Sequence, residues 1–532
     1  MKMKKLLFIL SLFVLQTGLL KSQTTFQEVY WINGTSFSNA NCIQQTADGG
    51  FVMVGTDSSS AVQDRDVCLV KTDANGDTLW SKIYGTTGFE YGQYVVQSND
   101  GGYFIVGTSL STDWNVYLIK TDANGDTLWT RVIGGGGDDE ANAIQQTHDG
   151  GFIISGYTNS FGAGNYDYFL IKTDINGVVQ WSKAYGTLAD ELGYFVQETK
   201  DKGFIISGAA YASNATIDAY AIKTDSLGVV LWSKYYGTLT TDWGYMMKET
   251  YNGNYILTGY LGAGAATDAF LIKTNNIGDT LWTKTFGGNN YEQGICVAPT
   301  KDSGYVVSGS VYSGSQGGSD AMLLKTDSLG NLVYCRGYGG YGDDWAPSIV
   351  QTPDDGFALG AYSNSLSGGP YNYYMVKTDA AGNSLGGCNQ IDISLSTVQR
   401  AFVAASVVTT VTSFTFSTIA SVTNLDSGMQ EYSPCVFLGI AQSQTNQITN
   451  SLAVYPNPNA GVFNLVAENI SSPQVKITVS TILGETVYMQ TVKNQTGKIN
   501  EQINISALPA GTYFVTMHAA DKMYQARIII AN

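Results

Sequence analysis

The sequence predicts an all-β fold: a seven-bladed β-propeller closed by an N-terminal strand, followed by a small C-terminal β-sandwich. Two observations lead there. Lys-Thr-Asp or a near copy starts at Lys71, Lys120, Lys172, Lys223, Lys273, Lys325 and Lys377, a period of 49 to 52 residues. A unit of that size, copied until the copies bury one another, marks propellers and solenoids. Composition is the second. The 532 residues include 61 Gly and 34 Tyr but only 14% charged residues, as expected of extended sheet with tight turns.

The elements follow in chain order. Lys2, Lys4 and Lys5 precede an apolar run from Leu6 to Leu15, the pattern of a signal peptide over residues 1–23 with cleavage after Gln23. Residues 24–388 hold the repeats. In the third, residues Asn142 to Gln146, Gly151 to Tyr157, Tyr168 to Lys172 and Val178 to Tyr185 read as four strands, a to d, separated by Gly, Asn and Asp. The c–d turn keeps Gly in every copy, from Gly76 to Gly382, and Asn precedes it in three, the pair favoured by a type I′ hairpin. Strand d carries Trp80, Trp129, Trp181, Trp232, Trp282 and then Tyr334, an aromatic suited to packing between neighbouring sheets. After Lys377 strand d is missing, and Phe26 to Gly34 is expected to replace it and remove an open edge.

Candidate chemistry is sparse. Glu90, Asp139, Glu191, Asp242, Glu292 and Asp344 stand at one repeat position, with Ser38 in the first copy. They are expected either to ring one mouth of a central channel, as a site for cations, basic groups or polyhydroxyl ligands, or to cap their own loops through backbone N–H groups. Asp73, Asn75 and Asp77 resemble a short calcium loop, but the other copies lose the oxygens and keep the Gly, so a hairpin turn explains all seven. Only His148 and His518 are present, which argues against a His-based triad or multi-His metal site. The G-x-S-x-G at Gly382 to Gly386 is a degenerate c–d turn without the strand-turn-helix setting that activates such a Ser. No catalytic residue, metal or cofactor is assigned. The net charge of −16 argues against nucleic acid and anionic membranes, and no later segment reads as a membrane-spanning helix.

Cys42, Cys68, Cys296 and Cys335 read as small buried hydrophobes. Cys388 and Cys435 bracket the first segment after the repeats and are a candidate disulfide. Between them, residues 389–450 shift to Ser, Thr and Val and read as a linker or small β-module. Residues 451–532 carry alternating runs that predict the β-sandwich.

Tyr455-Pro456-Asn457-Pro458 followed by Gly461, Val462 and Phe463, with Leu508-Pro509-Ala510-Gly511-Thr512-Tyr513 downstream, resembles the type A C-terminal sorting domain of the type IX secretion system in Bacteroidetes. The resemblance implies export to the cell surface or beyond, with the type IX machinery as partner. The repeats are similar to secreted bacterial β-propeller repeats bearing Asp-Gly-Gly-Phe and Lys-Thr-Asp-x-x-Gly. Lys71 to Trp80 also resembles the tryptophan-docking repeat of quinoprotein dehydrogenases, but its Asp and Gly are one residue closer and no adjacent Cys pair is present. The expected function is non-enzymatic binding of an extracellular glycan or protein; the alternative is a carbohydrate-active enzyme using the mouth carboxylates.

Overall fold

Two compact units divide the chain, Met1–Pro434 and Cys435–Asn532. The computed structural model describes residues 24–31, 37–59, 64–86, 88–211, 216–262, 266–366, 370–384, 389–400, 402–406, 410–413, 417–419, 423–426, 430–432, 453–455, 461–467, 472–481, 486–493, 498–509, 511–519 and 522–530. Residues 1–23, where a signal peptide is expected, Cys388, Cys435 and Pro456 to Pro458 lie outside the described residues.

Each repeat folds as an antiparallel meander. In the third, Asp139–Gln146, Phe152–Thr158, Asp167–Thr173 and Val179–Gly186 pair in that order. Strands b and c are buried on both faces, which is why they read as continuous apolar runs (Ile153 and Ile154, Phe169 to Ile171). The first two repeats join into one ten-stranded sheet through a single parallel bridge between Arg65 and Phe89; the other sheets of this unit have five strands each. In the last, the N-terminal strand Phe26–Trp31 pairs with Asn372–Thr378.

Lys-Thr-Asp divides three jobs among its residues. The Lys reaches back to the a–b turn, as Lys71 does to Asp48 at 2.9 Å. The Thr is fully buried. Oδ1 of Asp73 accepts the N–H groups of Asn75 at 2.7 Å and Asp77 at 3.0 Å, which closes the turn without a cation. This turn is not type I′. Gly76 alone has positive φ (+90°), Asn75 does not, and the register shifts after Lys71, so the connection is a type I turn ending in a Gly bulge. The Gly has a second reason to be invariant, because a Cβ on Gly177 would lie 2.2 Å from the Trp129 ring of the preceding repeat. The strand d aromatics therefore pack on the next repeat's turn. Phe26 meets Gly76 in the same way, and the Tyr30 hydroxyl donates to the Gly76 carbonyl at 2.7 Å as Tyr84 does to Gly125.

In its described residues, which end at Tyr432, the segment after the repeats is neither a linker nor a separate module. Gln390–Asp392, Ser396–Val398, Val403–Ser406, Thr410–Ser413, Ser417–Ile419, Thr423–Asp426 and Gln430–Tyr432 each add an outermost strand to a different four-stranded meander, the fifth and sixth of them to the two halves of the ten-stranded sheet. They run backwards through the repeats: the first pairs with strand d of the sixth repeat, the next with the fifth, and so on to the first. The last pairs with the N-terminal strand, Val29 opposite Tyr432. Successive strands start six or seven residues apart, a step of at most about 20–25 Å when extended. The segment thus lies as a belt over strand edges that would otherwise present unpaired N–H and C=O groups. Side-chain anchors reinforce it where described, including the Arg336 to Asp392 ion pair and Phe402 packed 5.1 Å from Phe270.

In the C-terminal unit, a three-stranded sheet (Ala453–Tyr455, Val462–Ala467, Ile499–Asn504) and a four-stranded one (Thr486–Lys493, Gln474–Thr481, Gly511–Ala519, Lys522–Ile530) enclose a core that includes Phe463, Leu465, Ile477, Val479, Val515 and Ile528. This is the expected small β-sandwich. The described cysteines Cys42, Cys68, Cys296 and Cys335 are buried free thiols, as their spacing among apolar residues predicts.

Candidate functional site

In the third to seventh repeats strand a begins at the acid, in the second one residue before Glu90, and all six acids are fully buried. Each accepts the backbone N–H of the residue four before it. The pairs are Thr86 to Glu90 at 3.1 Å, Gly135 to Asp139 at 2.7 Å, Thr187 to Glu191 at 3.0 Å, Thr238 to Asp242 at 2.6 Å, Gly288 to Glu292 at 2.8 Å and Gly340 to Asp344 at 3.1 Å. Hydroxyls fill further lone pairs, as Ser109 does on Glu90 at 2.9 Å and Ser365 on Asp344 at 2.8 Å. In the first copy Ser38 instead donates to Asp57. Of the two expected roles, this geometry fits loop capping and not an open acid ring: the carboxylates sit inside the d–a loops and cap them, out of reach of a ligand at the surface. Among the described residues no cluster of three or more metal-ligating side chains is present.

Burial raises four of these acids above the usual carboxylate range. Desolvation pushes Glu191 up to about 7, assisted by Asp167 and Asp190. It pushes Asp344 up to about 6 and raises Asp139 and Asp242 as well. In five copies an Asp stands five residues before the Lys, and Asp167, Asp218 and Asp320 lie beside Glu191, Asp242 and Asp344. A Cβ on Gly186 would stand 1.6 Å from Asp167 Oδ1 and 2.5 Å from Glu191 Oε2, so two carboxyls crowd one glycine. Asp320, buried next to Asp344, is pushed up to about 7.

Three residues past each acid, strand a carries a β-bulge. The register slips between Ala40 and Cys42, Gly92 and Tyr94, Ala141 and Ala143, Gly193 and Phe195, Gly244 and Met246, Gly294 and Cys296, and Trp345 and Ser348. A bulge leaves one residue unpaired and re-aims its side chain. The residues so freed, Asn41, Gln93, Asn142, Tyr194, Tyr245, Ile295 and Pro347, line one shared cavity of about 250 Å³. All seven repeats contribute. In chain order the lining passes from three amides to two Tyr and then two apolar residues. The amide side is held in place, with Asn41 Nδ2 donating to the Gly92 carbonyl at 2.8 Å and Asn142 Nδ2 to the Gly193 carbonyl at 2.8 Å. On the other side Tyr194 packs on Tyr245 at 5.3 Å and on Trp243 at 6.2 Å. Such a wall offers hydrogen-bond groups opposite flat apolar faces, the combination small polar ligands need.

None of these residues was singled out from sequence. The signal was present: each lies three past the acid or Ser38, where one position holds Asn, Gln, Asn, Tyr, Tyr, Ile and Pro while the residue before it is always Gly or Ala. Variation at a fixed place in an otherwise regular unit marks a surface that is not doing the repeated packing.

The C-terminal motif has a structural basis in the described residues. Gly461 sits at φ +83°, where a Cβ would be 2.4 Å from Ser506 Cα. Tyr513 is buried and donates its hydroxyl to the Pro509 carbonyl at 2.9 Å, while Leu508 N–H donates to the Ile505 carbonyl at 2.9 Å. Gly511 opens the strand that follows. Residues 453–531 match the family model described as a secretion system C-terminal sorting domain. The match supports a type IX sorting domain. It also supports export by that system to the cell surface or outside, with its machinery as the tail's partner. No curated protein matches the chain. Among solved structures, the crystal structure of Chaetomium thermophilum Sqt1 shares 11% identity at a TM-score of 0.40, covering 68% of this chain and 99% of that one. The same protein bound to the N-terminus of the ribosomal protein L10 shares 10% at 0.40, covering 66% and 98%. No helix in the described residues is long and apolar enough to cross a membrane.

Proposed function

We propose that this chain is an exported, non-enzymatic binding protein: a seven-bladed propeller closed by Phe26–Trp31, delivered by its signal peptide and sorting tail to bind a glycan or protein at or outside the cell surface. The observation that carries the reading is the cavity lined by one bulged residue from every repeat. Seven strands meeting around one space support a closed ring. Phe26 and Tyr30, which take the places of the strand d Trp and Tyr, support closure by the N-terminal strand. At about 250 Å³ the cavity is near the lower end of ligand sites, about 300–1,000 Å³, so it suits one sugar ring or one side chain rather than an extended polymer. The buried, loop-capping acids give less support to the enzymatic alternative, since neither a general acid nor a nucleophile is offered to a substrate.

The test is a glycan and protein binding screen with the full mature chain. Tyr194→Ala combined with Tyr245→Ala is expected to weaken the best ligand at least about tenfold, from lost ring contacts of about 0.5–1.5 kcal/mol each beyond area burial. Unchanged affinity in the double variant removes the cavity from the reading. Turnover of any polysaccharide that disappears in Glu191→Gln or Glu292→Gln would establish the enzyme instead.

A further inference from the structure

One repeat breaks the Lys–Asp pattern. In six copies the a–b turn supplies a carboxylate to the strand c Lys: Lys71 to Asp48 at 2.9 Å, Lys120 to Asp100 at 2.8 Å, Lys172 to Asp149 at 2.9 Å, Lys223 to Asp201 at 2.9 Å, Lys325 to Asp302 at 2.8 Å and Lys377 to Asp354 at 3.0 Å. The fifth copy reads Thr250-Tyr251-Asn252-Gly253-Asn254 where the first reads Thr46-Ala47-Asp48-Gly49-Gly50. Asn252 keeps the turn, its Oδ1 accepting the Thr250 hydroxyl at 2.7 Å, but it brings no charge.

The second change removes the Lys from its usual place. A Cβ on Gly50, Gly151 or Gly203 would lie 2.8, 2.6 or 2.4 Å from the Nζ of that copy's Lys. Asn254 has that Cβ, so the position is closed to Lys273. Its ammonium donates to the Thr250 hydroxyl at 2.8 Å, and among the described residues no carboxylate pairs with it. Yet Lys273 is only 5% exposed. A buried ammonium without a counter-charge is costly, and burial pulls Lys273 down to about 8. Beside it opens a cavity of about 300 Å³, lined by Asn252, Asn254, Trp282 and, from the next repeat, Tyr305.

We propose that this cavity is a binding site for a small carboxylate, whose anionic group pairs with Lys273 in the role that the turn Asp fills in the six other copies. The charge-assisted hydrogen bond supplies anchorage, and Trp282 and Tyr305 supply apolar surface for the rest of the ligand. A uronic acid and an acidic amino-acid side chain share this chemistry. The site is separate from the bulge-lined cavity and stands or falls independently of it.

Calorimetric titration of the full mature chain with glucuronate and with N-acetylglutamate α-amide, against glucose and N-acetylglutamine α-amide, tests the assignment. At least one acid is expected to bind saturably, with one ligand per chain and at least tenfold tighter than its neutral counterpart; the acid that does so identifies the source. Asn252→Asp supplies the counter-charge from within and is expected to abolish binding while leaving the unfolding temperature equal or higher. Lys273→Met is expected to abolish it too, and Asn252→Asp keeps the test decisive if that variant does not fold. No saturable binding of either acid, equal binding of acid and neutral counterpart, or undiminished binding by Asn252→Asp would overturn the proposal.

Discussion

In the third repeat Asp139 starts strand a and Asp149 follows its end, and the two carboxylates ionise in opposite senses. Asp139 is fully buried, receives hydroxyls and a backbone N–H, and is raised by desolvation. Asp149 is 47% exposed at its side chain. Against the slight burial that pushes it up, the Thr147 hydroxyl and the Lys172 ammonium hold it down to about 2. The same contrast recurs along the chain, with Asp48 and Asp100 held at about 2 and Glu191 and Asp320 pushed to about 7. One residue type therefore serves two ends of a strand: raised by burial where Asp139 caps a loop, paired as an ion where Asp149 ties a turn to a neighbouring strand.

The largest effect expected from this contrast is a stability optimum on the acid side of neutrality. The buried acids have folded pKa values above their unfolded ones, so the stabilisation they contribute is whole below about pH 4 and is lost as pH rises through 6 to 7. The Lys-paired acids are the reverse case. Their contribution is whole above about pH 4 and is lost as pH falls through 2. Both sets are intact together near pH 4 to 5. Thermal unfolding followed by circular dichroism should give its highest midpoint there and a fall of several degrees by pH 8; a profile flat from pH 5 to 8 would break the comparison.

A single substitution sharpens it. Asp320 lies against Asp344, and its buried Oδ1 has no hydrogen-bond partner. Asn already stands at the equivalent position in two repeats, at Asn115 and Asn372. Asp320→Asn should therefore keep the fold and stabilise the protein by about 1–3 kcal/mol at pH 8, with little change at pH 4. Equal effects at the two pH values, measured by denaturant unfolding, would assign the change to packing instead of charge.

How much of this was legible in the sequence depends on whether a residue acts within its repeat or across repeats. The four strands, the c–d turn and the Trp all show as period-50 features because each copy solves the same local problem. The belt was not legible as strands because its period is six or seven, and its pieces are three or four residues long. Ser, Thr and Val there satisfy a strand edge with little apolar surface, so the segment looks like a linker. The acids were found, but burial was not. A carboxylate in a loop reads as exposed until the hydroxyls of Ser109, Thr158 or Ser365, on other strands or loops, are brought to it by the fold. The type I′ expectation failed for a related reason: Asn-Gly fits two turns, and the oxygen of Asp73 selected the one with the bulge.

The smallest effect is expected at the exposed end. Asp149→Asn removes the Lys172 pair but retains the turn, since an amide oxygen still accepts the Thr147 hydroxyl and the Gly151 N–H, now made by Asp149 at 2.5 and 3.0 Å. With Asp149 half exposed, solvent screens most of the pair's attraction, and the cost should be about 1 kcal/mol or less. Lys172 also keeps the Thr173 carbonyl at 2.9 Å, a contact open to it because Gly151 has no Cβ. Adding Gly151→Asn closes that position and reproduces both departures of the fifth repeat. The double variant should then cost more than the sum of the two changes, because only together do they leave a buried ammonium with neither carboxylate nor carbonyl. Additive costs in a double-mutant cycle would mean that Lys273 owes its setting to something other than Asn252 and Asn254.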